Sequence, residues 1–180
     1  ADLGDEAVTV AKTLCQRAPA FLRVNIRKTT IEKAQKILSG DGIQTVKHPS
    51  IITALRVTEG QNKIKNCMAY KDGFVEIQDA SSQASVIDLP RDSNLKILDY
   101  CCGSGGKSLA LDAWTEGKIF AYDISPDRSF NLKTRAERSN AQITKISKPI
   151  KEMFDVIFCD VPCSGSGSWR RDPDGKWKLN

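Results

Sequence analysis

The alternation of apolar and polar residues divides the 180-residue chain into two styles of folding. Residues 21–26 alternate apolar and polar from Leu22 onward, the period-2 mark of a half-buried strand. Thr29 with Glu32 three residues on forms a capping-box pattern, Ala34, Ile37 and Leu38 supply one apolar face, and Gly40 stops the predicted helix. Strands are predicted at 43–46 and 51–57, with a short helix at 62–70. This order describes a small α+β lobe over residues 21–72, preceded by a helix and linker over residues 1–20 that ends at Pro19.

From residue 73 onward the pattern changes. A strand at 73–79 leads into an apolar helical turn, and a linker at 88–94 containing Pro90 leads to an apolar run at 95–99. A glycine loop at 100–107, a helix opening at 108–114, a strand at 118–123, a helix capped by Ser125 or Asp127 and strands at 143–147 and 154–161 follow. Strands alternating with helices imply a parallel, doubly wound sheet, here of four strands, over residues 73–180. The last strand, rich in Val, Ile and Phe, reads as buried on both faces. The fold class is therefore α/β: a Rossmann-like parallel sheet preceded by a small α+β lobe.

Charge refines this division. Residues 17–71 carry 11 Lys/Arg against 3 Asp/Glu, whereas the whole chain has a net charge of only +5. A basic lobe beside a mildly acidic remainder is expected to meet a polyanion, and a solvated lysine-rich surface explains the charge equally well. No apolar run approaches the ~18 residues of a membrane span, and the acidic start does not resemble a signal peptide, so a cytoplasmic protein is expected. The six cysteines sit partly inside strand-like runs and are expected to be reduced. With one histidine in the chain, no metal site is expected.

Chemistry concentrates in two loops. Gly106-Lys107-Ser108 matches the tail of a P-loop, but Cys101 stands where its first glycine belongs. A dinucleotide fingerprint fails at Ser108, which replaces its third glycine. A nucleoside-binding methyltransferase loop needs only small residues close to the ligand and an acid ending the next strand, and Asp123 supplies that acid. The second loop follows the last strand. Asp160-Val161-Pro162-Cys163 delivers an acid and a thiol to the carboxyl end of the sheet, followed by Arg170 and Arg171, then Lys176 beside Trp177. Carbon 5 of cytosine is a poor nucleophile until a thiolate adds to carbon 6, so Cys163 and Asp160 suit pyrimidine methylation. On this chemistry alone Cys163 is the attacking thiol, as in DNA cytosine-5 methyltransferases. An RNA- or nucleoside-binding module without turnover is the alternative outside the enzymes.

Asp99-Tyr100-Cys101-Cys102-Gly103-Ser104-Gly105-Gly106-Lys107, Gln78-Asp79-Ala80-Ser81-Ser82-Gln83, Phe21-Leu22-Arg23-Val24-Asn25 and Asp160-Val161-Pro162-Cys163-Ser164-Gly165-Ser166-Gly167 with Arg170-Arg171-Asp172-Pro173-Asp174 resemble the RsmB/Nop2/Sun family of RNA cytosine-5 methyltransferases. The resemblance implies S-adenosylmethionine as cofactor, ribosomal or transfer RNA as substrate, and a monomer. It implies that Cys101, Cys102, Gly103, Ser104, Gly105, Gly106 and Lys107 line the cofactor, that Asp123 holds its ribose, and that Asp160 sits between cofactor and target base. Arg23, Arg170, Arg171 and Lys176 are the expected RNA contacts. In this family the attacking cysteine belongs to a Thr-Cys pair, and the cysteine matching Cys163 assists product elimination. The 180 residues contain no Thr-Cys pair, so the sequence is expected to be C-terminally incomplete.

Overall fold

The computed structural model describes residues 4–147, 152–172, 174 and 177, which fall into two compact units. One unit comprises the segments up to Pro19 and from Val161 onward. It carries helix α1 (Ala7–Cys15), preceded by a 3-10 turn at Gly4–Glu6, and a further 3-10 turn at Ser166–Ser168. Its two segments are joined through arginine: Arg170 donates from Nε to the Gln16 carbonyl at 3.4 Å and from Nη2 to that of Arg17 at 3.3 Å, and Arg171 Nη2 donates to the Pro19 carbonyl at 2.8 Å.

The other unit, Ala20–Asp160, holds two sheets. The first is built from β1 (Ala20–Val24), α2 (Ile31–Gly40), β2 (Gln44–Lys47), β3 (Ala54–Glu59), α3 (Met68–Lys71) and β4 (Val75–Ile77). Its strands run antiparallel in the order β2-β3-β1-β4, the βαββαβ arrangement of ferredoxin-like lobes. Leu22 and Val24 from β1 and Leu55 from β3 pack with Ala34 and Leu38 of α2 and with Ile43. The helix cap is displaced by one residue from the expected box: Thr30, in extended conformation, accepts the Lys33 amide, and Glu32 pairs instead with Lys47 at 2.6 Å. The lobe is also longer than expected. Val75–Ile77 pairs with β1, so the strand assigned to the second domain by a boundary at residue 73 completes the first sheet.

The chain continues through α4 (Ala80–Ile87), β5 (Lys96–Asp99), α5 (Gly106–Trp114), β6 (Lys118–Ala121), α6 (Leu132–Ser139), β7 (Ile143–Lys145) and β8 (Val156–Phe158). The four strands are parallel in the order β7-β6-β5-β8. Ile97 and Ile119 pack beneath Ala110 and Leu111 of α5. Helix α6 begins only at Leu132, and its N-cap Asn131 makes no side-chain cap; Ser125 and Asp127 belong to the turns before it. Strand β8 departs from the expectation of burial on both faces. Among the described residues it pairs with β5 alone, and Ile157 is 60% exposed. An apolar run reports that a strand can be covered, and an edge position leaves this one partly open.

The face of the first sheet opposite α2 is not free. Asn25 Nδ2 donates to the carbonyls of Gly73 and Ser139, Arg27 Nη2 to that of Thr115, and Lys28 Nζ to those of Asp72 and Arg138. Gly73 shows how close this approach is. Its φ is +68°, and a Cβ there would lie 2.2 Å from the Arg138 carbonyl oxygen, so only glycine fits. Part of the basic excess of the lobe thus serves internal contacts. Lys33, Lys36, Arg56, Lys63, Lys65 and Lys71 remain exposed.

Candidate functional site

The carboxyl ends of β5, β6 and β8 form one rim, the place where parallel sheets bind ligands. After β5 the chain turns through Gly103 and Gly105, with φ of +48° and +83°, into the first turn of α5. A side chain at Gly105 would put Cβ 2.2 Å from Leu132 Cδ1 of α6, so this glycine provides both the left-handed turn and close packing. The exposed amides of the first turn of α5 and its dipole favour an anionic group above the loop.

A cleft of about 310 Å³ opens there, lined by Cys101, Cys102, Gly103, Ser104, Gly106, Lys107 and Asp160 together with Ile77, Gln78, Ser82, Arg128 and Arg135. Six of the seven residues expected from the glycine loop face it, and Gly105 lies buried below. Lys107 Nζ stands 2.5 Å from Asp160 Oδ2, with the lysine side chain 18% and the aspartate 54% exposed. A second, more open cleft shares Ser82, Lys107 and Asp160 with the first and continues along Ser81, Ser85, Phe158 and Cys159. The Lys107–Asp160 pair therefore borders both.

Asp123 ends the strand segment after β6, as expected, but does not line the cleft. Its Oδ2 accepts the Gly103 amide at 2.8 Å, its Oδ1 accepts the Ser125 amide at 2.9 Å, and Arg128 approaches to 3.9 Å. It braces the loop from behind, and a carboxylate has further acceptor positions beyond these two. Burial, followed by the charges of Asp99 and Asp123, pushes Cys102 up to about 12, and Cys101 is raised by burial and then by the neighbouring Cys159. Both shifts disfavour the thiolate, the nucleophilic form.

Arg23 is a correction. Expected to contact RNA, it is only 4% exposed. Its Nη1 donates to Gln78 Oε1 at 2.7 Å and to the Gly106 carbonyl at 2.8 Å. Alternation placed Arg23 opposite Leu22 and Val24 correctly, but that face meets the glycine loop and not solvent. Desolvation lowers its guanidinium to about 10, opposed chiefly by attraction to Glu76.

Cys163, Arg170 and Arg171 belong to the other unit. Cys163 is exposed, and its Sγ accepts the Gly165 amide at 3.4 Å. Arg170 and Arg171 spend part of their donor capacity on backbone carbonyls, so they brace their own unit as well as offering charge. Trp169 is half-buried and Trp177 is 78% exposed; Lys176 lies outside the described residues.

Gln78, Ser82, Arg128 and Arg135 were absent from the expected site. Gln78 and Ser82 lay within a quoted motif, so a signal existed for them; the two arginines carry helix-like spacing that reads as solvated surface. Asp99 was also missed. It is fully buried at the end of β5, accepts the Ser108 hydroxyl at 2.6 Å through Oδ2, and leaves Oδ1 without a partner. Burial pushes its carboxyl up to about 6.

Residues 86–180 match the sequence model of the 16S rRNA methyltransferase RsmB/F family. The chain belongs to this family. Residues 1–63 match the ferredoxin-like domain described for RsmF/B-like methyltransferases, in agreement with the βαββαβ lobe. The chain is 31% identical over 178 residues to ribosomal RNA small subunit methyltransferase B of Pectobacterium carotovorum subsp. carotovorum, covering 94% of this chain and 41% of that protein. It is 32% identical to the same-named protein of Citrobacter koseri, over 96% of this chain and 42% of that one. The crystal structure of PH0851 superposes with a TM-score of 0.89 at 25% identity, over 99% of this chain and 43% of that one. The chain thus spans about two fifths of the length of these curated relatives. Family membership confirms the α/β methyltransferase fold with a ferredoxin-like lobe.

Proposed function

We propose that this chain handles the cofactor and the target base in an S-adenosylmethionine-dependent methyltransferase acting on carbon 5 of a cytosine in ribosomal RNA, as a cytoplasmic monomer. The observation that carries this reading is the Lys107–Asp160 pair on the border of two clefts, one cradled by glycine and the other open toward Ser81 and Ser85.

The residues present fit the cofactor. A cleft of about 310 Å³ falls at the lower end of ligand-pocket sizes, ~300–1,000 Å³. Gly103 and Gly106 let backbone approach, while the α5 N-terminus with Lys107, Arg128 and Arg135 suits a carboxylate. Asp160 is an acceptor for an ammonium and, when it carries a proton, a donor to a base edge. When bound, S-adenosylmethionine supplies an electrophilic methyl group. Asp160, acting as an acid, donates a proton to nitrogen 3 of the pyrimidine as the thiolate adds to carbon 6, which makes carbon 5 electron-rich. Lys107 holds that carboxylate in place. After methylation the carbon 5 proton leaves and the thiol is eliminated, the step proposed for Cys163. The attacking cysteine is the one the family resemblance places in a Thr-Cys pair, which these 180 residues do not contain.

Small-subunit ribosomal RNA from cells lacking the gene, incubated with the intact protein and methyl-labelled S-adenosylmethionine, is expected to gain label in 5-methylcytosine. RNA containing 5-fluorocytosine is expected to give a denaturant-stable adduct. Absence of both, or label at another base, would refute the proposal.

A further inference from the structure

The loop segment Ser104-Gly105-Gly106 is gripped at both ends by side chains that trace back to the first sheet. At the Gly106 end, Arg23 Nη1 of β1 donates to the carbonyl at 2.8 Å and Gln78 Nε2 donates to the same oxygen at 3.2 Å, while Arg23 also bonds Gln78 Oε1. At the Ser104 end, Arg135 Nη1 of α6 donates to the carbonyl at 2.8 Å and to Oγ at 2.9 Å. The orientation of Arg135 is set from the first sheet in turn. Its Nη2 lies 3.0 Å from Oε2 of Glu76 in β4, a carboxylate whose side chain is 2% exposed and which Arg138 also engages.

Gly103 and Gly105, both in left-handed conformation, impose almost no conformational preference of their own, so the loop's shape must come from contacts. The arginine bonds are charge-assisted, the stronger kind: those of Arg23 are half-buried, with the neutral Gln78 bond beside them, and those of Arg135 to Ser104 are exposed but anchored at the buried Glu76 carboxylate. Ordering a loop before its ligand arrives removes that entropic cost from binding.

We propose that the ferredoxin-like lobe preorganises the cofactor loop through this two-point clamp, with Arg23 and Arg135 as positioning residues. Arg23 acts on the cofactor through the Gly106 carbonyl and Gln78, since it does not itself line the cleft. The lobe is therefore a working part of the cofactor site, and whatever shifts β1 or β4 changes cofactor affinity. The inference rests on the reading of the cleft as the S-adenosylmethionine site for one of its two tests, and is independent of it for the other.

Arg135 uses both arms of its fork, Nη1 on Ser104 and Nη2 on Glu76, and Arg23 holds Gly106 and Gln78 from Nη1 of a rigid planar group; a lysine keeps the charge but not this fixed geometry. Arg23→Lys and Arg135→Lys are made in the intact protein. Without cofactor, amide hydrogen exchange at residues 103–107 is expected to accelerate at least fivefold in each variant, while amides of β3 and β6 exchange as in the parent. Calorimetry with S-adenosylhomocysteine is expected to show at least fivefold weaker binding. Loop exchange at the parental rate in either folded variant would overturn the clamp. If one variant fails to fold, the other decides through the same exchange measurement. If the parent does not bind S-adenosylhomocysteine, the cofactor reading fails while the exchange result still judges the clamp.

Discussion

The Lys107 ammonium lies 2.5 Å from Asp160 Oδ2, tying the first turn of α5 to the chain just beyond β8. With the aspartate half exposed, such a pair adds only ~0–1 kcal/mol to stability. Its worth is orientation. Asp160→Asn is therefore expected to leave the melting temperature nearly unchanged while lowering methyl transfer by about 10²–10⁴-fold, the usual range for a positioned acid-base group. Lys107→Met is expected to reduce transfer less, because it loosens Asp160 without removing it. Single-turnover rates on the ribosomal RNA substrate check both, and full activity in Asp160→Asn would remove this residue from the chemistry.

Gly105→Ala tests the packing under the loop. The left-handed φ costs ~1–2 kcal/mol for a residue with a Cβ, and the 2.2 Å approach to Leu132 Cδ1 adds overpacking of ~1–3 kcal/mol. A loss of about 2–4 kcal/mol in urea unfolding is expected. Leu132→Ala in the same chain is expected to recover part of the overpacking cost but none of the backbone cost, which separates the two.

Much of this architecture was legible in the sequence, because burial imposes periodicity. Alternation from Leu22 onward marked β1, and the strand-helix alternation after residue 95 gave the parallel sheet of four strands. Charged residues were harder. Arg23, Arg27 and Glu76 occupy positions whose pattern looks like a solvated face, and only the second sheet's arrival converts that face into an interior. Asp99 was hidden for a similar reason: an acid at a strand end reads as exposed, whereas this one is sealed beneath α5 with only Ser108 as a bonding partner. The cleft residues Arg128, from the turns after β6, and Arg135, from α6, require the path of the chain after β6 to be known before they can be assigned.

Glu76 makes the lobe contact measurable as stability. Its carboxylate is buried and binds Arg135 at 3.0 Å and Arg138 more closely still. Removing one partner of a buried ionic cluster leaves the others uncompensated, typically at ~3–5 kcal/mol. Glu76→Gln keeps the volume and one acceptor but leaves two guanidiniums facing each other, only about a fifth exposed, so a loss of about 3 kcal/mol is expected. Equilibrium denaturation checks it; a change below 1 kcal/mol would show that solvent already screens the cluster.

Cys163 carries the test of division of labour between thiols. If it serves elimination, Cys163→Ala in the intact protein lets the covalent RNA adduct form and slows its release. The adduct is then expected to accumulate on a denaturing gel with unmodified cytosine RNA, and turnover to fall by at least tenfold. No adduct with either cytosine or 5-fluorocytosine RNA would make Cys163 the attacking thiol instead.

The Asp99 carboxyl gives the fold a pH dependence of definite sign. Burial raises it to about 6, above the ~3.9 of an unfolded aspartate. Between those values the folded state holds the proton more tightly than the unfolded state, so stability falls as pH rises through this window. Below pH 4 both states are protonated and the residue's contribution is fully present; above pH 6 it has been lost. Asp99→Asn keeps an acceptor for Ser108 and carries no charge, so it removes this dependence. Relative to the parent, its stability is expected to rise by ~1–3 kcal/mol between pH 4 and pH 7, the order set by a shift of about two units. Taking the difference between the two proteins cancels the titration of all other groups. A difference that stays flat across the window would mean that Asp99 is ionised in the fold at every pH tested, with its unpartnered oxygen solvated by water that reaches beneath α5.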